Sequence, residues 1–207
     1  MGNLSEKRYG MITGSECHVL FPKRSAKVGV TTYAKKLAKE IVFNWRDEVN
    51  TWQMDHGHMG ESVAREWFMK YVDPKCYQPE FIQSGNFGGS GDLVTSLGYG
   101  VDFKCPTSME KWLEYLTDGI SNQQYCQAQM YMHLYGYDQW KVCAFLEETN
   151  FMSDNGRVYP IEDRNKCIVI DVEKEKGWGE LLEERSIDLI TQRDEFVEIY
   201  KTVLNTK

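Results

Sequence analysis

No stretch of this chain is apolar for long enough to cross a bilayer, and its first residues lack the basic and apolar sections of a secretory signal. A cytoplasmic protein with no membrane partner is therefore expected. Paired cysteines are missing as well: Cys17, Cys76, Cys105, Cys126, Cys143 and Cys167 form no Cys-X-X-Cys unit. That excludes zinc-finger spacing and cysteine-held iron–sulfur clusters, and leaves free thiols in a reducing compartment. No serine or cysteine stands in a nucleophile arrangement. Repeats and low-complexity linkers are absent too, so residues 1–207 read as one domain, long enough for a substantial core.

Net positive charge is the last thing lacking. The formal charge is −7, unsuited on its face to a nucleic-acid partner. Its distribution changes that picture. Residues 1–46 hold nine Lys/Arg (Lys7, Arg8, Lys23, Arg24, Lys27, Lys35, Lys36, Lys39 and Arg46) against Glu6, Glu16 and Glu40, a balance of +6 that leaves −13 for the remainder. A basic N-terminal lobe beside an acidic pocket can hold a DNA end, while an acidic body discourages diffuse binding. Taken singly, Lys35, Lys36 and Lys39 also fit a solvated helix face.

The most informative segment that is present runs from Ser90 to Pro106. Asp92-Leu93-Val94 and Val101-Asp102-Phe103-Lys104 are separated by Leu97-Gly98-Tyr99-Gly100, which suits a tight reversal between antiparallel strands. Alternation along the strand places Asp102 and Lys104 on one face and turns Phe103 to the other, towards a core. Two carboxylates and an ammonium then converge. Mg²⁺ prefers carboxylate oxygens and keeps several waters, and a nearby lysine can orient the attacking water or balance charge on a phosphorane-like transition state. An exposed hairpin with scattered charges is the plain alternative for the triplet alone.

Two further polar residues interrupt helical patterns. Glu61, Ala64, Phe68 and Tyr71 share one helical stripe, which puts a carboxylate on a buried face where it needs a metal or another partner. Near the helix start it would otherwise be a partly exposed glutamate. From Asn122 a second pattern runs to Tyr135 and stops at Gly136, with Tyr125, Gln129 and Met132 on one stripe. Gln129 either bonds a core backbone group or holds a water or phosphate. His56 and His58, beside Asp55 and Glu61, are capable zinc ligands, but an oxygen-rich magnesium site makes them surface or DNA-proximal groups. His18 and His133 read as structural. At the N-terminus, Arg8 precedes Thr13-Gly14-Ser15, where a guanidinium fork, hydroxyls and the open N–H groups of a helix start would suit a terminal phosphate. A surface ion pair for Arg8 and a plain cap for Ser15 is the competing reading.

In this order the elements resemble the PD-(D/E)XK nuclease superfamily, and more narrowly its lambda-exonuclease and YqaJ-type viral recombinase group. Arg8 with Thr13, Gly14, Ser15 and Glu16, then Gly57 with Glu61, Asp92, Asp102-Phe103-Lys104-Cys105-Pro106, and Gln127-Ala128-Gln129 carry the resemblance. Gly91 departs from the proline common before the metal-binding aspartate, and Asp102 from the glutamate of the lambda-type enzymes. The resemblance implies a restriction-endonuclease-like α/β fold, a mixed central sheet flanked by helices with extra helices at both ends. It implies metal at Asp92, Asp102 and the Phe103 carbonyl, with Glu61 acting through water. Lys104 would activate or orient water, Gln129 would position it, and Arg8, Thr13 and Ser15 would hold a 5′-phosphate. Two Mg²⁺ ions, with Mn²⁺ as a substitute, are the implied cofactors.

The activity so implied is 5′-to-3′ digestion of linear duplex DNA, leaving 3′ tails for a single-strand-annealing recombinase, by a toroidal homotrimer inside a bacterial host. An endonuclease, restriction-like or branch-specific, would use the same centre. A non-catalytic DNA-end binding module, or a structural protein with an incidental acidic hairpin, remain as further alternatives. Coarsely, helices are predicted from Thr13–Glu16, where threonine and glutamate match a capping box, from Tyr33 to Trp45, and from Trp178 to Leu204. Strands are predicted near Phe81, over Trp140–Leu146 and over Cys167–Asp171, with a loop at Asn150–Asn155.

Overall fold

The computed structural model describes residues 8–22, 28–46, 51–147 and 161–205. In chain order the elements are β1 (Ile12–Thr13), α1 (Val28–Phe43), α2 (Trp52–Tyr71), β2 (Ile82–Ser84), β3 (Phe87–Gly89), β4 (Leu93–Val94), β5 (Gly100–Lys104), α3 (Met109–Thr117), α4 (Asn122–Tyr135), β6 (Gln139–Phe145), β7 (Cys167–Glu173) and α5 (Trp178–Asn205). They build the mixed α/β architecture expected from the sequence, with strands in two sheets. One has the order β1-β3-β2, the other β4-β5-β6-β7. In the larger sheet β5 and β6 run parallel, while β4 and β7 flank them antiparallel. A parallel pair needs a long crossover, and α3 and α4 supply it.

Helix α4 is the organising element. Ser121 and Gln124 form a reciprocal capping box at its start, and Gly136 ends it in the left-handed region at φ 71°. Its residues Ala128, Met130 and Met132 are buried with Trp140 and Val142 of β6 and with Leu182 and Leu189 of α5. Helix α1 buries Tyr33, Ala34 and Leu37 in the same core, three- and four-residue spacing that sets one face inward. A second core lies behind the β4–β5 hairpin, where Ala64 and Phe68 of α2 meet Leu93, Val101 and Phe103. The Phe68 and Phe103 rings stand edge to face, 6.0 Å apart. This contact fixes which side of β5 is left for chemistry.

Several boundaries differ from the sequence reading. No helix begins at Thr13–Glu16: Ile12 and Thr13 pair in parallel with Phe87 and Gly88, and only a four-residue 3₁₀ turn, Cys17–Leu20, follows. The Thr13 N–H goes to the Tyr33 hydroxyl at 3.1 Å, and Glu16 is held by Lys36 and Arg46, so neither member of the expected capping box is available. Helix α1 starts five residues before Tyr33 and stops at Asn44, which takes φ 49°. Helix α2 starts at Trp52, capped by the Thr51 hydroxyl, so Glu61 sits in mid-helix. Helix α3 was not anticipated, although Ser108 accepts from the Lys111 N–H and Glu110 favours the first turn. The expected loop at 150–155 lies outside the described residues.

Candidate active site

The hairpin places the two aspartates as strand alternation requires. Leu93 pairs with Val101 and Val94 with Gly100. The Asp92 N–H donates to the Val101 carbonyl at 3.2 Å, and an Asp92 carboxylate oxygen accepts from the Phe103 N–H at 2.6 Å. Two glycines let the hairpin lie flat on Trp140. A Cβ at Gly100 would stand 2.0 Å from the indole, and one at Gly91 2.6 Å from it. That contact accounts for Gly91 at a place where proline is common in the superfamily, since proline carries a Cβ.

Asp102 is 3% exposed and points to the face opposite Phe103. Its Oδ2 lies against the Lys104 ammonium, and its Oδ1 accepts from Gln127 Nε2 at 3.2 Å. The same Nε2 donates to the Tyr131 hydroxyl at 3.1 Å, while Gln127 Oε1 accepts from Lys104 Nζ at 3.3 Å. One amide thus holds both members of the Asp102–Lys104 pair. Burial works against the Lys104 charge, but Asp102 and Asp92 outweigh it and hold its pKa above the ordinary lysine value. These charges favour Lys104 as a cation that can donate and neutralise.

Gln129, the residue singled out from sequence, is not brought to this site. Its Nε2 donates to the Glu173 carbonyl at 2.7 Å and its Oε1 accepts from the Glu175 N–H at 2.9 Å. Two residues along a helix turn the side chain by about 200°, so Gln127 faces β5 while Gln129 faces the end of β7. The stripe Gln124, Gln127, Tyr131, spaced three and four apart, was the signal that distinguished them.

Glu61 approaches the centre from α2. With His58, Phe103, Lys104 and Tyr115 it lines an open cleft of about 530 Å³. Burial pushes its carboxyl up; His58, whose Nδ1 is 3.8 Å away, opposes this, and the Asp102 charge adds to the rise. Asp92 is raised well above the usual carboxylate range by burial and then by Asp102 and Glu61, despite the pull of Lys104 and the Phe103 N–H. His58 is exposed at the rim, as expected for a surface group. His56 is not on the surface: it is 2% exposed, with Nε2 3.3 Å from the Pro106 carbonyl.

The carboxylates of Asp92, Asp102 and Glu61 offer oxygens, and Asp102 Oδ2 is buried with no hydrogen bond of normal geometry, held only by the Lys104 charge. Among the described residues, no three His, Cys, Asp or Glu side chains converge on one metal position. Both observations fit a cation such as Mg²⁺, which binds through one or two carboxylates, keeps most of its waters and takes further ligands from substrate phosphate. They do not fit a closed zinc site, which needs four protein ligands. A larger depression of about 940 Å³, rich in carboxylates, lies between β7 and the start of α5 and contains none of these residues.

Beside the hairpin, Arg8 Nη2 donates to the Ser90 hydroxyl at 3.0 Å, its guanidinium lies 5.0 Å from the centre of the Phe81 ring, and its Nε is buried with no partner. Ser90, two residues before Asp92, was missed by sequence reasoning. The hydroxyls of Thr13 and Ser15 are 3.4 Å apart, with Thr13 buried and Ser15 exposed. No helix N-terminus stands there, so the donors at this rim are side chains. Of the basic N-terminal residues, Lys7, Lys23, Arg24 and Lys27 lie outside the described set. Lys36 pairs with Glu16, Arg46 with Glu16 and Glu40, Lys35 covers Phe196, and Lys39 covers Trp45.

Residues 5–138 match the family model of the YqaJ-like viral recombinase domain. No curated protein matches the chain. Among solved structures, the alkaline exonuclease LHK-Exo of Laribacter hongkongensis aligns with a TM-score of 0.77 at 16% identity, over 98% of this chain and 97% of its own. The same enzyme in complex with dAMP gives 0.75 at 16%, over 97% and 96%. A phage-related exonuclease of Haemophilus somnus 129PT gives 0.73 at 13%, over 98% and 100%. At these identities the likeness is one of fold. That fold, with the aspartates and lysine on its hairpin, is a PD-(D/E)XK architecture. The chain belongs to the YqaJ-like viral recombinase family.

Proposed function

We propose that this chain, as one catalytic domain, is a Mg²⁺-dependent 5′-to-3′ exodeoxyribonuclease that digests one strand of linear duplex DNA and leaves a 3′ single-stranded tail. The observation that carries the reading is the buried Asp102–Lys104 pair held by Gln127, with Asp92 across the hairpin and Glu61 at the cleft. Asp92, Asp102 and the Phe103 carbonyl would hold metal directly and Glu61 through water. Mg²⁺, as one or two ions with Mn²⁺ as a substitute, supplies a Lewis acid for the phosphodiester and its attacking water.

The protein's own residues do the rest. Lys104 stays charged, so it donates a hydrogen bond to the attacking water and offsets charge growing on the phosphorus oxygens. Gln127 accepts a second hydrogen bond from that ammonium beside its contact with Asp102. Arg8, Ser90 and Ser15, with Thr13 behind, grip the 5′-terminal phosphate, where Arg8 has an unused buried N–H. Family membership supports recombination as the setting: a single-strand-annealing recombinase as partner, a ring of three copies around the duplex, and the cytoplasm of a bacterial host as location. Among the described residues no helix is long and apolar enough to cross a membrane.

Digestion of linear duplexes labelled separately at each 5′ and 3′ end tests the reading. Loss of the 5′ label first, with Mg²⁺ required, is expected. Rapid cutting of closed circular duplex would replace it with an endonuclease.

A further inference from the structure

One side chain, Tyr131, touches both the rim that faces the DNA end and the amide of the centre that cuts. Strands β1 and β3 run parallel in the register Ile12–Phe87 and Thr13–Gly88, so the segments leaving them, Gly14-Ser15 and Gly89-Ser90, emerge side by side. The Tyr131 ring lies against both. A Cβ on Gly14 would stand 2.5 Å from Tyr131 Cε1, and a Cβ on Gly89 would stand 2.5 Å from the same atom. Only glycine permits that approach. The ring is 5% exposed, and its hydroxyl accepts from Gln127 Nε2 at 3.1 Å. The same Nε2 serves Asp102, while the other end of the amide serves Lys104.

We propose that Tyr131 is a positioning residue that couples occupancy of the end-phosphate rim to the alignment of Gln127, Asp102 and Lys104. The coupling rests on the function proposed above. A phosphate drawn onto Ser15, Ser90 and Arg8 pulls on the two segments that clamp the ring, and close packing transmits small shifts instead of absorbing them. Acceptor-only Asp102 and donor-only Lys104 set the orientation of the Gln127 amide, and the hydroxyl holds it there. It can accept the amide N–H that Asp102 shares, leaving the amide oxygen for Lys104. An amide turned over would set its NH₂ against the Lys104 ammonium. The rim would then act on the rate of cleavage as well as on binding.

The test is the first cleavage of short duplexes carrying either a 5′-phosphate or a 5′-hydroxyl, with kcat and KM determined on each. Wild type is expected to favour the phosphate in both parameters, by about tenfold in kcat. Tyr131→Phe keeps the ring and the rim, so the KM advantage of the phosphate should persist within about twofold while the kcat advantage shrinks to less than about threefold. Gly14→Ala displaces the ring without removing a hydroxyl and should give the same signature; it decides the matter should the phenylalanine variant fail to fold. A wild type with no preference for the phosphate would end the end-reading role of the rim, and the coupling with it. A preference that survives in kcat in a folded variant would overturn the coupling and leave the end-reading intact. Parallel loss of the KM advantage would reduce Tyr131 to a support for the rim and also overturn it.

Discussion

The side of α4 that faces β5 and the side that faces β7 carry the same amide, buried in both cases, in opposite employments. Gln127 is 9% exposed and Gln129 1%. Gln129 spends both ends on backbone, joining the Glu173 carbonyl and the Glu175 N–H where β7 gives way to α5. Gln127 spends both ends on ionised side chains. Backbone partners are fixed by the fold and would be present with or without a reaction. Charged partners withdrawn from water against a neighbouring helix are costly to fold around, and such an arrangement marks a working site. The partners of a buried polar group, more than its residue type, separate structural from catalytic use.

The strongest way to break the comparison is on the β5 side itself. Asp102→Ala and Lys104→Ala are each expected to lower kcat by about a thousandfold or more, with duplex binding in Ca²⁺ retained. Near-normal Mg²⁺-dependent cleavage by either purified variant would place the centre elsewhere. The two glutamines then sharpen it. Gln127→Ala should cost about 10- to 100-fold in kcat, the usual effect of losing a group that orients metal-site residues. Gln129→Ala should keep kcat within about threefold and instead lower stability by about 1–3 kcal/mol, because two buried backbone groups lose their partner. Paired kinetics and melting curves on the two variants give the answer, and a reversed outcome would exchange their roles.

The hairpin was legible in the sequence because its evidence is local. Strand alternation alone turns Phe103 to the core and Asp102 with Lys104 away from it, and the turn is marked by Gly98, which takes φ 89°. The long helix α5 and strands β6 and β7 were legible from periodicity for the same reason. What failed depended on neighbours far along the chain. Of the stripe through Tyr125, Gln129 and Met132 the last two are buried and Tyr125 is half-buried, but which face of α4 meets β5 is set by the crossover. Ser90 acquires a role only because Arg8, 82 residues earlier, folds onto it. His56 is covered because the segment after β5 brings the Pro106 carbonyl to it. Thr13 entered a strand because β3 was there to pair with, an outcome that three-residue propensities do not contain.

The rim gives a smaller effect that separates two kinds of basic side chain. Arg8 has a buried N–H with no partner, whereas Lys36 is already matched to Glu16. Arg8→Ala should therefore reduce the preference for a 5′-phosphorylated over a 5′-hydroxyl end by about tenfold, in line with loss of one charged hydrogen bond. Lys36→Ala should leave that preference within about twofold. Equal slowing on both ends by Arg8→Ala would assign the arginine to general DNA binding or to folding.

The smallest expected effect concerns two carboxylates whose environments oppose each other. Asp163, fully exposed, is held at about 2 by Lys166, Tyr71 and Lys70. Its contribution to stability is present above the ordinary carboxylate value and is lost as the pH falls towards 2. Asp92 has the opposite sign. Its folded-state pKa is raised by burial, Asp102 and Glu61, so its contribution is full below the ordinary carboxylate value of about 4 and is lost as the pH rises through the raised value. Of the two, only Asp92 still changes stability in the window above the ordinary carboxylate value, where Asp163 is already ionised. Asp92→Asn can still accept the Phe103 N–H but carries no charge. In metal-free protein, the melting temperature of wild type should fall relative to this variant as the pH rises over that window. A difference of about 2–4 °C corresponds to about 1 kcal/mol in a chain of this size. Mg²⁺ should close the gap by raising wild type and not the variant, since a cation bound between the aspartates removes the repulsion that the asparagine removes by chemistry. A gap that does not change with pH would mean that the Asp92 carboxyl is already neutral or already matched without metal, and would count against a cation held between Asp92 and Asp102.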